Sequence, residues 1–256
     1  MEESSTSLQL DREPETEEPI IVEGLAGIGH IGRNVVSYIA EHLEAEKIGE
    51  INSNHFPPYT IVKDDKTVEM IKNNIFEVKR DDKPDLILVE GKAQSSTPQG
   101  HHEIAQKIQK FAEQAEASKI FTIGGYGTGD VVENPDVFGA VNNEKLKEQY
   151  SEYDIEFDHD VGQIVGVSGL LIALAGKKGI DGVCLLGETP GFLLSDPKST
   201  ENVLERLENI LELDLDYSNL DDKVEESQDV LKKLQNLKKQ DNADKDQGQS
   251  DLGYIG

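Results

Sequence analysis

Between Pro19 and Leu211 short apolar runs alternate with amphipathic stretches, and this alternation confines the chain to the α/β class. Ile20-Ile21-Val22, Ile48 to Asn52, Asp85 to Val89, Lys119 to Ile123, Val137 to Val141 and Ile180 to Leu186 read as strands. Tyr59 to Val62 and Ile75 to Val78 read as smaller antiparallel strands beyond the breaker Phe56-Pro57-Pro58. Helices lie between them. Ile31, Val35, Val36, Ile39 and Leu43 share one face of the first. Ile104, Ala105, Ile108, Phe111, Ala112 and Ala115 recur at helical spacing between Gln99 and Ala117. Val167 to Ala175 is apolar all round, as a helix within the body would be. Asp196-Pro197 opens a further helix, with Val203, Leu204, Leu207, Ile210 and Leu211 as its stripe. The pattern predicts a largely parallel or mixed sheet sandwiched by helices.

The flanks differ from this body. Residues 1–18 carry seven acidic side chains against Arg12 and read as a disordered acidic arm, leaving 19–212 as the α/β domain. Residues 213–239 hold a C-terminal helix from about Leu220 to Lys239. Its stripe of Leu220, Val224, Ser227, Leu231, Leu234 and Lys238 is heptad-like, and fits either packing on its own domain or a contact between subunits. Residues 240–256 read as a flexible tail: Gln240 to Ser250 is polar except for Ala243, and Leu252, Gly253, Tyr254, Ile255 and Gly256 follow. Apolar residues carried past a polar tether are either a frayed end or a docking tip. The second reading points to a binding protein.

Composition narrows the function. A formal charge of −26 opposes association with phosphate backbones and anionic lipid, so neither nucleic acid nor a membrane surface is expected as partner. No run approaches the ~20 apolar residues of a membrane span, and the acidic, polar start is unlike a signal peptide, which together predict a cytoplasmic protein. Cys184, the single cysteine, sits in the apolar run Val183 to Leu186 and reads as a buried thiol. Adjacent His101 and His102, and Asp158-His159-Asp160, lack the spacing of chelating groups, so no metal and no cofactor is expected.

Gly27-Ile28-Gly29-His30-Ile31-Gly32 matches a G-x-G-x-x-G loop between strand and helix. It fits a phosphate cradle, or a tight turn at Gly27 and Gly29 with close helix packing at Gly32. Strand ends at Gly24, Glu90-Gly91, Gly124-Gly125-Tyr126 and Glu188-Thr189-Pro190 should gather at the carboxyl edge of the sheet, where open α/β folds bind ligands. Gly27, Gly29, Gly32, Glu90, Tyr126 and Glu188 are therefore the candidate pocket residues. Glu90 and Glu188 are the pair that acid–base chemistry would use there, though no nucleophile and orienting group accompany them and no catalytic residue is assigned.

With Glu23-Gly24-Leu25-Ala26-Gly27-Ile28-Gly29, Gly124-Gly125-Tyr126, Val167-Ser168-Gly169-Leu170-Leu171 and Leu186-Gly187-Glu188-Thr189-Pro190-Gly191 in this order, the chain resembles the archaeal members of the proteasome assembly chaperone family over roughly Ile20 to Leu211. The resemblance implies a three-layer α/β/α sandwich related in architecture to purine nucleoside phosphorylases. It also implies homo-oligomers that bind the α-subunits of the proteasome core particle without ATP, as assembly factors or activators. Relatives that dock there end in a hydrophobic residue, tyrosine and one final residue. Here Tyr254 is third from the end, so Leu252, Tyr254, Ile255 and Gly256 are together the expected partner-binding residues. A nucleoside-type phosphorylase or hydrolase working at the carboxyl edge is the alternative.

Overall fold

The apolar runs pair into one eight-stranded sheet, and two further short strands form a separate ribbon. The computed structural model describes residues 5–218, 220–225 and 227. The elements follow in chain order as β1 (Thr6–Leu10), β2 (Ile20–Leu25), α1 (Ile31–His42), β3 (Glu46–Ser53), β4 (Thr60–Val62) and β5 (Val68–Met70). Then come β6 (Asn73–Val78), β7 (Leu86–Gly91), α2 (Pro98–Gln114), β8 (Lys119–Gly127) and β9 (Val137–Val141). The series closes with α3 (Lys145–Tyr150), α4 (Val167–Gly176), β10 (Asp181–Thr189) and α5 (Pro197–Leu211). These elements belong to one unit, Met1–Leu215; Asp216–Gly256 forms a second, in which residues 220–225 are helical. The remainder of the heptad-like stripe and the tail 240–256 lie outside the described residues.

Strand order is β1-β3-β6-β7-β2-β8-β10-β9. The central neighbours β7, β2, β8 and β10 pair in parallel, while β1/β3, β3/β6, β6/β7 and β10/β9 are antiparallel. β3, β7, β2, β8 and β10 therefore run one way, and β1, β6 and β9 against them. Every residue of β7 is buried, as a parallel strand covered on both faces requires. On one face α2 and α4 enclose Ile21, Leu25, Ile87, Val89 and Ile120 with Ile104, Ile108, Phe111, Val167 and Leu171. On the other, α1 and α5 meet at the sheet centre, where Gly187 faces Ser199, Val203 and Ile31. The fold is an α/β/α sandwich with a mixed sheet. Helix α5 starts where the Asp196-Pro197 signal predicts, Asp196 accepting a hydrogen bond from the Ser199 amide at 3.0 Å, and α2 is capped likewise by Thr97, which accepts from the Gly100 amide at 3.1 Å.

The acidic arm expected over residues 1–18 is corrected. Thr6–Leu10 is an edge strand, antiparallel to β3 from Thr6 opposite Ser53 to Leu10 opposite Gly49. Its alternation sets Thr6, Leu8 and Leu10 on one face, where both leucines pack against the α2–α4 core, and the surrounding charge masks this period-two signal. Arg12 then ties the segment down, 2.6 Å from buried Glu77 and 2.8 Å from Glu46. The Tyr59–Val62 expectation becomes β4, whose partner is β5 in the exposed ribbon, while Ile75–Val78 joins the main sheet as β6.

Helix α1 rests on the sheet through glycine. A β-carbon on Gly24 would overlap the Gly32 carbonyl oxygen, and one on Gly32 would overlap the Ile123 carbonyl oxygen. Gly32→Ala should therefore destabilise by roughly 2–3 kcal/mol, as overpacking against rigid backbone does. Gly162→Ala, at a position with open space around it, should change stability by less than about 0.5 kcal/mol. Urea denaturation of both variants checks the contrast.

Candidate functional site at the carboxyl edge of the sheet

The parallel strands β2, β8 and β10 end side by side, and a cavity of about 590 Å³ opens above them. Its floor is Leu25, Gly124 and Leu186. One wall is the turn Ala26–Ile28, the other the segment Gly162–Gly166, with Gln94, His101 and Tyr126 between them and Ser168 at the base. Gly166 has φ of 102°, a conformation that favours glycine, and a β-carbon there would overlap the Gln94 side-chain oxygen at 2.5 Å. Tyr126 is held edge-on against Phe138, with ring centroids 5.6 Å apart. Among the described residues no Lys, Arg, Asp or Glu lines this cavity. Burial holds the His101 imidazole below its usual pKa, with Ser95 opposing and His102 adding to the shift, so it is neutral at pH 7.

One pleat below the floor lies a polar row. Glu23 is paired in register with Thr122, and Thr122 with Cys184, so the three cross β2, β8 and β10 on the face covered by α4. All three are fully buried. Among the described residues neither carboxyl oxygen of Glu23 nor the Thr122 hydroxyl has a hydrogen bond of good geometry. Ser168, in the first turn of α4, stands beside Glu23 and favours its charged form, but desolvation dominates and pushes the carboxyl pKa up to about 8. Burial likewise pushes the Cys184 thiol up to about 12, with Glu23 contributing and Thr122 opposing, so the thiol is no nucleophile at neutral pH.

The structure divides the six expected pocket residues. Gly27 and Tyr126 line the cavity. Gly29, with φ of 62°, makes the single helical turn Ile28–His30, and Gly32 seats α1, so both serve the turn-and-packing reading of the loop. Glu90 occupies a separate recess, where it accepts from Ser37 at 3.1 Å and Asn74 at 3.0 Å, with Arg33 3.7 Å away. Glu188 accepts from the Asp136 amide at 3.1 Å. β2 and β8 separate their strands, a span of ~14 Å at ordinary strand spacing. Register runs Glu90–Gly24–Ile123 across the sheet, and Leu185 continues it, which places Glu188 on the opposite face from Glu90. They do not form an acid–base pair. His159 donates from Nε2 to the Gly139 carbonyl, 2.8 Å away, and accepts at Nδ1 from the Val161 amide. Among the described residues no group of three His, Cys, Asp or Glu is placed to hold a metal ion, and no helix is long and apolar enough to cross a membrane. Leu252, Tyr254, Ile255 and Gly256 lie outside the described residues. The polar row escaped the sequence reading; its signal was an acid inside the apolar run Ile20 to Leu25.

A family model described as the PAC2 family matches residues 21–235. An uncharacterized protein of Methanocaldococcus jannaschii is 34% identical over 249 residues, 96% of this chain and 95% of that protein. Among solved structures, Pyrococcus furiosus PbaB, an archaeal proteasome activator, matches with TM-score 0.85 and 32% identity over 91% of this chain and 99% of that one. Pyrococcus furiosus PbaA, an archaeal homolog of proteasome-assembly chaperone, matches with TM-score 0.73 and 25% identity over 90% and 96%.

Glu23 gives the site a measurable pH signature. Its folded pKa of about 8 lies above the ordinary 4.5, so between these values the folded state keeps a proton that the unfolded chain has released. Its contribution is intact below pH 4.5, falls as pH rises across that window, and levels off above about 8. Glu23→Gln keeps a neutral group of the same shape. The variant should gain on the wild type as pH rises from 5 to 8, reaching on the order of 2–3 kcal/mol at about 1.4 kcal/mol per pKa unit with allowance for relaxation. Denaturation curves at several pH values test this; parallel profiles for the two proteins would exclude a neutral Glu23.

Proposed function

The chain belongs to the PAC2 family, and from that premise we propose that it is a non-enzymatic, homo-oligomeric cytoplasmic protein that binds the core particle of an archaeal-type proteasome, as assembly factor or ATP-independent activator. The observation that carries this reading is the likeness to Pyrococcus furiosus PbaB, an archaeal proteasome activator, along nearly the whole length of both chains. The acid–base reading has lost its pair, because Glu90 and Glu188 occupy opposite faces of the sheet.

Docking on the α-subunits falls to Leu252, Tyr254, Ile255 and Gly256. The preceding polar stretch, of about eleven residues, would give a tether a root-mean-square reach of ~18 Å. Several copies on one oligomer would then engage together, so that individually weak contacts combine through effective concentration. An acidic body suits this arrangement, since its surface does not collapse onto the partner while the apolar tip engages.

Co-sedimentation of the full-length protein with purified archaeal core particles tests both parts. The intact chain should co-sediment, and deletion of residues 252–256 should weaken binding at least tenfold, with Tyr254→Ala intermediate. Unchanged binding by the deletion variant would remove the tail mechanism and leave the partner; no binding by the intact chain would remove the partner itself.

A further inference from the structure

We infer that the carboxyl-edge cavity binds a small uncharged molecule whose carbonyl-type acceptor is received by Thr122 and Glu23, with Ser168 beside them. The volume of about 590 Å³ falls in the range of small-molecule sites. Its wall and floor are apolar side chains and glycine backbone, with Gln94, His101, Tyr126, Gln163 and Ser168 as the polar groups. An ion entering would meet no opposite charge among the described lining residues, and an uncompensated charge is expensive away from water. A neutral ligand avoids that cost.

The polar row supplies what such a ligand lacks in the cavity wall. Buried polar groups in folded proteins are almost always hydrogen-bonded, so both oxygens of Glu23 and the hydroxyl of Thr122, orphaned in the same row, are an anomaly that asks for a partner. At neutral pH the Glu23 carboxyl keeps its proton and can donate it in a hydrogen bond, as the Thr122 and Ser168 hydroxyls can theirs. Ser168 is set to donate to Glu23, and the Glu23 and Thr122 O–H groups are left without a strong acceptor among the described residues. On β10 the polar atom beside Thr122 is the Cys184 sulfur, a weak acceptor.

Between the cavity lining and the buried row stands Gly124. This residue follows Thr122 on the same face of β8, and a β-carbon there would meet only the Leu186 Cδ2 atom, at 3.0 Å. Glu23 and Thr122 are not among the lining residues, so a ligand reaches their donors past Gly124, where a side chain would stand in the way. Ser168 completes the approach from above, since it both lines the cavity and stands beside Glu23. The groups around Glu23 are Val89 on β7, Thr122 on β8, Cys184 on β10 and Ser168 on α4, with His101 of α2 at the cavity wall. None is cationic at pH 7 to 9. Ionisation of Glu23 therefore removes a donor without providing a counter-charge for an anion.

The inference stands apart from proteasome binding and is tested without it. Full-length protein is titrated with lactams from γ-butyrolactam to ε-caprolactam, with piperidine as a cation and pentanoate as an anion of similar size, by saturation-transfer NMR and thermal shift. A lactam should bind at least tenfold more tightly than piperidine or pentanoate, and its affinity should fall several-fold from pH 7 to pH 9. Glu23→Gln, which retains a neutral donor, should keep binding and lose the pH dependence. Thr122→Val and Gly124→Ala should each weaken binding fivefold or more, with circular dichroism verifying the fold. Preference for piperidine or pentanoate would overturn the assignment. So would affinity unchanged in both Thr122→Val and Gly124→Ala, or no binding by any lactam, which would mean that the cavity holds water only.

Discussion

The seat of α1 on the centre of the sheet decides where the other parts can lie. Gly24 on β2, Gly32 on α1 and Gly125 on β8 bring backbone against backbone: a β-carbon at any of them would overlap the carbonyl of Gly32, Ile123 or Ile28 respectively. With no side chains between, the first turn of the helix is drawn down onto the two middle strands. The connection from β2 must then be made within a single helical turn, which it is, through Gly29 at φ 62° and His30 at φ 50°. That short turn holds Ala26, Gly27 and Ile28 over the strand ends as a wall. On the opposite face, α2 and α4 pack through Ile104, Ile108, Phe111 and Leu171, full-sized side chains that keep the layer at ordinary distance. A glycine contact on one side and large side chains on the other leave the room at the carboxyl edge that the cavity occupies.

Beneath that cavity the chain departs from what stability would choose. Glu23, Thr122 and Cys184 take three adjacent positions in the most buried part of the sheet, where Val or Ile would contribute burial and leave no polar group unpaired. A folded protein is stable by only ~5–15 kcal/mol, so an unpaired carboxyl in its interior is a sizeable fraction of the margin. Local choices that conflict with the rest of a fold gather at functional sites. Other buried polar atoms without a partner among the described residues stand at Thr16, Asn73, Thr189 and Ser199, but this row holds the carboxyl, is roofed by Ser168 and adjoins a cavity whose described lining carries no charge. Position and chemistry point to the same place.

The fold was legible wherever burial produces a period. Val137 to Val141 and helices α2 and α5 could be placed from the apolar spacing, with cap chemistry agreeing at Asp196-Pro197. β1 was lost because charge was summed over residues 1–18, and five alternating residues vanish in such a sum. β5 was lost because Val68-Glu69-Met70 is too short to show a period, and its partner β4 is equally short. The candidate site was legible only as an edge. Sequence order could place Gly27, Tyr126, Glu90 and Glu188 at strand ends, but not on a face, since a face requires the register between strands. The polar row shows why: Glu23, Thr122 and Cys184 are each fourth in their strands, a correspondence that appears only once Ile20, Lys119 and Asp181 are aligned.

Charge and apolar surface divide the remaining tasks between them. A body with a formal charge of −26 repels most acidic surfaces at long range, and that repulsion is screened within about 10 Å at 0.1 M salt. Close association must then come from contacts that salt does not weaken, which means apolar ones. Such groups are exposed at several places in the first unit, among them Val132, and Phe192 and Leu194 ahead of α5. Tyr59, Val62, Val68 and Met70 stand on or beside the β4–β5 ribbon, and Ile28 and Val165 flank the cavity mouth. A two-stranded ribbon is marginal in water without a covered face, so its four exposed apolar side chains are more costly than the same residues on a thick sheet. The same reasoning applies to a leucine, a tyrosine and an isoleucine carried on a polar stretch. In a chain this acidic, apolar groups left in water are the means by which it can hold anything at close range, because charge is spent on keeping neighbours apart.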